Sequence, residues 1–583
     1  MNSRSMILAA AALMITATAC NKSEEPATQP QGVSFSLSFD GAAAPATRAT
    51  YDGLTGVWEA GDEVYAYLTS TDNVSYGPYT FTPDAAGERA TFQAEITGIP
   101  DGTRIASIDA YHYDNLNAVT FDNGTISYSL PATADGTLSY MTVSSYDYPS
   151  GSEPAASEGG TIDITEALTF THCLSRIDIE TDIPNIRDVT IGIVGGSFPS
   201  SGRLDVADGV TTAAATTALL HATPSDNFQI GIIPVDFGGN RTLRAAVVTT
   251  DGKAYTREVT VSQFARATRY TLQLNAANLT EATAIADEQA FTDISNGDYI
   301  LTADLTLTEI PHLEGFSGTL DGNGHSIDIS GAGTTNNEYG GIFATTEGEA
   351  AVTNLTVVAG ERSADIVEGG VIVGRVNSGT LTLDNVHASG NIEADRRYVN
   401  DKHMFVGGLV GYVPYGATIH ATDCSFTGNV TTNQTLVDIP KNSYVGGIVG
   451  AVETIDKFET GQEYKGVTED KGSYIVNCKY SGTLTNTARL GAYTPEIYTG
   501  GIAGRSTGLI KDCSVTNVTI NAETDNDGSG RQAKPILGND WYEYVYNDNN
   551  SYTNVTINGE VRNGMYKGSK AAGTDTPSYS DLQ

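Results

Sequence analysis

Between Gly340 and Asn517 the chain returns to short apolar runs, each opened by a glycine pair. They read Gly340-Gly341-Ile342-Phe343, Gly369-Gly370-Val371-Ile372-Val373-Gly374, Gly407-Gly408-Leu409-Val410-Gly411, Gly446-Gly447-Ile448-Val449-Gly450 and Gly500-Gly501-Ile502-Ala503-Gly504. After each run comes an Asn or Asp followed by an apolar residue: Asn354-Leu355, Asn385-Val386, Asp423-Cys424, Asn477-Cys478 and Asp512-Cys513. Two positions further on stands another core candidate: Val357, Ala388, Phe426, Tyr480 and Val515. Period-two alternation bounded by Gly, Asn and Asp describes strands with one buried face, joined by corners that need positive φ. The runs start at 340, 369, 407, 446 and 500, giving spacings of 29, 38, 39 and 54 residues. A unit of that size cannot bury its own apolar face, so neighbours must stack, with the excess looped out. The pattern predicts a parallel β-solenoid over 289–521.

Upstream, 31–275 shows many short alternating strands and no sustained 3.6-residue period, which predicts β-sandwich modules. Examples are Val33-Ser34-Phe35-Ser36-Leu37-Ser38-Phe39, Ile177-Asp178-Ile179 and Tyr270-Thr271-Leu272-Gln273-Leu274. A Ser/Gly/Glu-rich stretch at 149–161 divides this region into 31–150 and 151–275. Residues 276–288 form a polar, Ala/Thr-rich linker. A solenoid exposes an apolar end and needs a cap, assigned to 531–560 within 522–583, with 570–583 as a disordered tail.

The ends and the charge narrow the function. A net charge of −38 with only 32 basic residues argues against nucleic acid as a partner. Arg4 precedes an apolar run, Met6 to Ile15, too short for a permanent membrane span, and Ala17-Thr18-Ala19 lead to Cys20. Residues 1–19 read as a secretory signal peptide.

Several stretches resemble known families. The small residues before Cys20 resemble a bacterial lipobox, which implies a lipidated Cys20, a 20–30 linker and anchorage in the outer membrane. Lys22-Ser23-Glu24-Glu25 resembles the export tag of surface lipoproteins in Bacteroidota. Gly-Gly-Leu-Val-Gly and Gly-Gly-Ile-Val-Gly resemble GLUG motif repeats. The lead-in, Tyr299 to Leu305 and Phe316 to His325, resembles the first coils of right-handed β-helices. Thr47-Arg48-Ala49-Thr50 with Val57-Trp58-Glu59-Ala60-Gly61-Asp62 resembles the opening of the fimbrillin family. Ala90-Thr91-Phe92, Tyr111-His112-Tyr113, Phe170 to Ile177 and Arg269-Tyr270-Thr271-Leu272 continue that resemblance. It implies two transthyretin-like β-sandwich lobes, 31–150 and 151–275. It also implies proteolysis between Arg48 and Ala49 that releases Val33–Phe39, so that a neighbouring pilin subunit fills the groove with its own strand. An uncut, exposed loop at Arg48 is the competing reading.

Chemistry is sparse. Cys424, Cys478 and Cys513 share one repeat position with Leu355 and Val386, which marks an interior packing column. Stacked strands lie about 4.8 Å apart, so a disulfide there is compatible with distance, whereas buried reduced thiols fit a column shared with Leu and Val. No zinc-type spacing is present, and no metal or cofactor is expected. Carboxylates are scattered, His325 and His387 stand alone, and HExxH, GxSxG and P-loop patterns are absent. Asp525-Asn526-Asp527-Gly528 has the start of a calcium loop, but its twelfth position is Ile536. Nothing marks a catalytic residue, and the chain is read as a non-enzyme. Among 30 tyrosines, Tyr412, Tyr415, Tyr493 and Tyr498 lie at or near loops, where they would either meet a protein or glycan ligand or simply pack along strands. The resulting expectation is a cell-surface adhesion lipoprotein, a pilus tip or accessory subunit presenting the solenoid to a host or bacterial ligand. The alternative is a glycan-capturing or polysaccharide-active β-helix lipoprotein of a nutrient-uptake system.

Overall fold

The computed structural model describes residues 32–42, 58–569 and 579–581, apart from 88, 123, 136, 226–227, 333–338, 365–366, 396–402, 435–440, 454–471, 489–494, 525–529 and 540–545. Strands dominate it. Among the described residues the only helical pieces are the 3-10 turn Ala276–Asn278 and the short helix Glu288–Thr292. Among the described residues no helix is long and apolar enough to cross a membrane.

The chain forms two units, and their boundary is not the one read from composition near 150. One unit holds the chain up to His112 together with Ser144–Phe170; the other holds Tyr113–Val143 and everything from Thr171. The reason is pairing: Thr125–Ser129, one arm of a hairpin with Asn117–Asp122, adds its other edge to Phe198–Asp205, far down the chain.

In the first unit a sheet runs in the order Thr161–Thr169, Val33–Ala42, Arg89–Ile99, Ser75–Pro83, Val64–Ser70, Ile105–Asp114. Trp58 is fully buried and meets Phe92 and Phe170 edge-on, with centroids 4.8 and 5.3 Å away. Its core is aromatic and aliphatic, as the alternation requires.

The second unit opens with strands packed around Ile177, Val189, Ile191, Phe198, Val247 and Leu274. The stretch 276–288, expected as a linker, is instead structural. Its strand Thr280–Ile285 pairs antiparallel with Ala254–Thr256 through its first half, 280–282, and parallel with Tyr299–Leu301 through its second, 283–285. The β-branched residues Thr280, Thr283 and Ile285 suit a strand. Further contacts join these strands to the first repeats. Arg244 Nε lies 3.2 Å from Asp321 Oδ2, Arg187 donates to the Thr302 carbonyl at 3.0 Å, and the Gly195 N–H donates to Asp384 at 3.1 Å.

From there the repeats stack strand on strand, all in parallel. Met404–Gly407 pairs with Ser443–Gly446, then Ile497–Gly500, then Arg531–Lys534. Val373, Val410, Val449, Ala503 and Leu537 form a second ladder, and Ala388, Phe426, Tyr480, Val515 and Tyr552 a third. Nearly all their inward side chains belong to one continuous core. Asn354, Asn385, Asp423, Asn477 and Asp512 adopt φ of 52 to 55°, the left-handed corner for which short polar side chains are suited. Their side chains also link repeats: Asn354 donates to Asp321 and Asn385 to Asn354, both at 3.1 Å.

The end of the stack also departs from expectation. Residues 531–557, placed in the cap, form another rung in parallel register with the one before. The closing element is Glu560–Ser569, which turns back antiparallel on Tyr546–Ile557 and is followed by Tyr579–Asp581. Those last three residues lie within the stretch assigned to a disordered tail. An antiparallel strand satisfies the last ladder without offering a further parallel edge.

Candidate functional site

Two places carry the functional expectations. The first is Val33–Ala42, the strand whose release the Arg48 reading requires. Arg48 and Ala49 lie outside the described residues, as does Cys20. The strand itself is interior: parallel to Thr161–Thr169 on one edge and antiparallel to Arg89–Ile99 on the other. Val33, Phe35, Leu37 and Phe39 are 8, 1, 1 and 1% exposed, so alternate side chains fill successive pockets. Phe39 stacks on Phe92 at 5.3 Å. Removing this strand would leave two unpaired edges flanking an apolar slot.

The second place is the outer face of the stack, where two rows of side chains run side by side from repeat to repeat. One row is Glu368, Phe405, Tyr444, Tyr498 and Gln532. The other is Arg375, Tyr412, Ala451, Arg505 and Asn539. The rows are close because a glycine-containing corner separates the two strands of each repeat. Phe405 and Tyr412 stack at 3.9 Å, Phe405 and Tyr444 at 5.1 Å, and Tyr444 meets Tyr498 at 5.6 Å. Arg375 lies 5.1 Å over the Tyr412 ring and Arg505 5.7 Å over Tyr444, both in cation–π range.

The carboxylates here are already engaged. Glu368 takes Arg375 at 2.8 and 3.0 Å, and Glu453 accepts from the Tyr412 hydroxyl at 2.6 Å and pairs with Arg505 at 2.7 Å. Glu496 accepts from Tyr444 at 2.9 Å and from Asn442 at 3.2 Å. Burial pushes the Tyr412 and Tyr444 hydroxyls well up, and the Glu453 and Glu496 carboxylates add to this. Such groups hold shape rather than exchange protons. Of the four tyrosines singled out in the sequence, Tyr412 and Tyr498 belong to this seam, and Tyr498 is only 3% exposed. Tyr415 stands apart at 61% exposed, and Tyr493 lies outside the described residues. Phe405, Tyr444, Arg375 and Arg505 were missed. The signal was the residue two places before each later glycine pair, which is aromatic three times running.

The other candidates are structural. His387 sits between Ser425 Oγ at 2.8 Å and Asn385 Oδ1 at 3.0 Å, and His325 lies 3.5 Å from Asp304. Among the described residues no group of three His, Cys, Asp or Glu could hold a metal ion, and 525–528 falls outside them. Cys173, Cys424, Cys478 and Cys513 are free and buried. The Cys424 and Cys478 thiols donate to carbonyls, Cys424 to Thr422 at 3.1 Å, and burial pushes both thiols far above their usual range. A thiol reagent added to the native protein is therefore expected to leave all four unlabelled until denaturant is added. Labelling of two or more before unfolding would contradict the buried column.

Residues 47–288 match the family described as fimbrillin-like, and residues 496–521, the fifth repeat, match the GLUG motif. No curated protein matches the chain. Three solved structures illustrate the likeness. A fimbrial protein from Bacteroides vulgatus is 12% identical, covering 43% of this chain and 98% of that one at a TM-score of 0.22. The C-terminally truncated tip fimbrial protein Mfa3 from Porphyromonas gingivalis is 8% identical, covering 43% and 98% at 0.25. The fimbrial anchor protein Mfa2 from the same organism is 9% identical, covering 43% and 95% at 0.23.

Proposed function

We propose, on the premise that this chain is fimbrillin-like over residues 47–288 and carries a GLUG motif at 496–521, that it is a cell-surface adhesion protein of the fimbrial type. In this reading the fimbrillin-like part comprises two transthyretin-like lobes that attach the protein, and the stacked repeats form a right-handed parallel β-helix that is presented outward. Cys20 carries the lipid anchor in the outer membrane, as the small residues before it support. Cleavage between Arg48 and Ala49 would free Val33–Phe39 for replacement by a pilin strand. The observation that carries the reading is that this strand is interior, with Val33, Phe35, Leu37 and Phe39 seated in pockets that a donor strand could refill. The seam of Tyr412 and Tyr498 stiffens the stack, and exposed Tyr415 is the tyrosine placed to meet a protein or glycan ligand.

The test is adherence of cells lacking the protein, complemented with the full chain or with one lacking 289–583, surface display being checked by antibody. Adherence to host cells or partner bacteria should fall at least tenfold without the protein, and return only with the full chain. Unchanged adherence, with a growth defect on a polysaccharide, would replace this reading by glycan capture.

A further inference from the structure

The interior of the stack contains a charge that forms no ion pair among the described residues. Arg362 stands in register with Ile392, and through it with Val430, Leu484, Ile520 and Ile557. Every other member of that column is aliphatic and buried; Arg362, at its first rung, is only 8% exposed. Its Nη1 donates to the Ala332 carbonyl at 3.0 Å. Nε and Nη2 are buried and have no hydrogen-bond partner. No carboxylate pairs with the guanidinium among the described residues. The charged and titratable groups that face it are Asp328 and His312. Asp328 is turned to the Ser330 N–H, which donates to it at 2.8 Å.

A guanidinium stays charged in a protein, so burial cannot be relieved by losing a proton. Two unmade hydrogen bonds on a buried cation are costly, and a counter-charge lowers that cost more than a neutral water does. Nε–H and Nη2–H lie along one edge of the planar fork and point the same way, the side-on arrangement that grips an anion with two parallel bonds. We propose that this edge of Arg362 holds a small inorganic anion, of the size of chloride, inside the first rung of the stack. The site is distinct from the outer seam and does not depend on the adhesion reading.

The purified protein, melted in sodium gluconate and in sodium chloride at equal ionic strength, tests this. Chloride should raise the midpoint by about 2 °C. Arg362→Met continues the aliphatic column and should fold, melt no lower in gluconate than the parent, and show no chloride response. Arg362→Lys keeps the charge but loses the fork, and should respond less than the parent. Crystals grown in bromide should show an anomalous peak between Nε and Nη2. A parent that ignores chloride, or bromide crystals with no anomalous peak there, would overturn the site and assign that edge to water.

Discussion

Gly447→Ala is expected to be strongly destabilising for a single added methyl. A Cβ there would sit 2.1 Å from the Gly501 carbonyl oxygen of the next repeat and 2.3 Å from the Tyr480 ring. Neither neighbour has room to retreat: Tyr480 is 2% exposed, stacked 6.1 Å from Phe426, and its hydroxyl donates to the Gly428 carbonyl at 3.0 Å. Overpacking commonly costs 1–3 kcal/mol, and a clash with backbone on one side and a locked ring on the other should reach about 3 kcal/mol or more. Urea unfolding of parent and variant reads this directly. Adding Tyr480→Ala to the variant should not restore stability, because the Gly501 carbonyl still blocks the methyl. A Gly447→Ala midpoint equal to the parent's would mean the repeats are not spaced as described.

Asp384 should make stability fall as pH rises. Its carboxyl, 7% exposed, accepts from the Gly195 N–H through Oδ2, while Oδ1 has no partner. Burial, reinforced by the Asp423 and Asp321 carboxylates and opposed by the Gly195 hydrogen bond, pushes its pKa from 3.8 up to about 7. Of these two carboxylates, Asp321 is paired with Arg244. Between those two values the unfolded chain has released this proton while the native chain still holds it. Stability is therefore complete below about pH 4, is lost as pH rises towards 7, and levels off above it. The shift of about three units corresponds to roughly 4 kcal/mol. Asp384→Asn keeps an acceptor for Gly195 and removes the charge. Its advantage over the parent should be absent at pH 4 and grow to several kcal/mol by pH 8. An advantage of the same size at every pH would show that ionisation is not its source.

The repeat architecture was legible because each rung has to solve the same packing problem. The column Val357, Ala388, Phe426, Tyr480, Val515 read from spacing is the column the ladders form. What spacing could not give was register within the second repeat. Val373 pairs with Val410, so Val371, not Gly370, occupies the slot that Gly408 fills in the next repeat. The column residue facing Gly408 is Phe426; its counterpart one repeat earlier, beside Val371, is the small Ala388. Bulk moves from one wall to the other, and an alignment on glycine pairs alone slips by one. The boundary near 150 and the linker at 276–288 failed for another reason. The polar, Ala/Thr-rich stretch 276–288 reads as a connection, yet Thr280–Ile285 is a strand paired with Ala254–Thr256 and Tyr299–Leu301; and Thr125–Ser129 is drawn to Phe198–Asp205, a pairing that local composition does not record. At the candidate site, Tyr498 was read as lying at or near a loop, whereas it stands in the strand Ile497–Gly500, against the Tyr444 ring of the preceding repeat.

The strand Thr280–Ile285 bears on how this protein would respond to a pull. A flexible tether between sheet and stack would convert tension into swivelling and slack. Here the chain enters the stack while hydrogen-bonded to Ala254–Thr256 behind it and to Tyr299–Leu301 ahead. Tension along it meets ladder bonds over its whole length, at 280–282 on one partner and at 283–285 on the other. A force–extension trace across this junction should accordingly show no compliant lengthening before the first rupture.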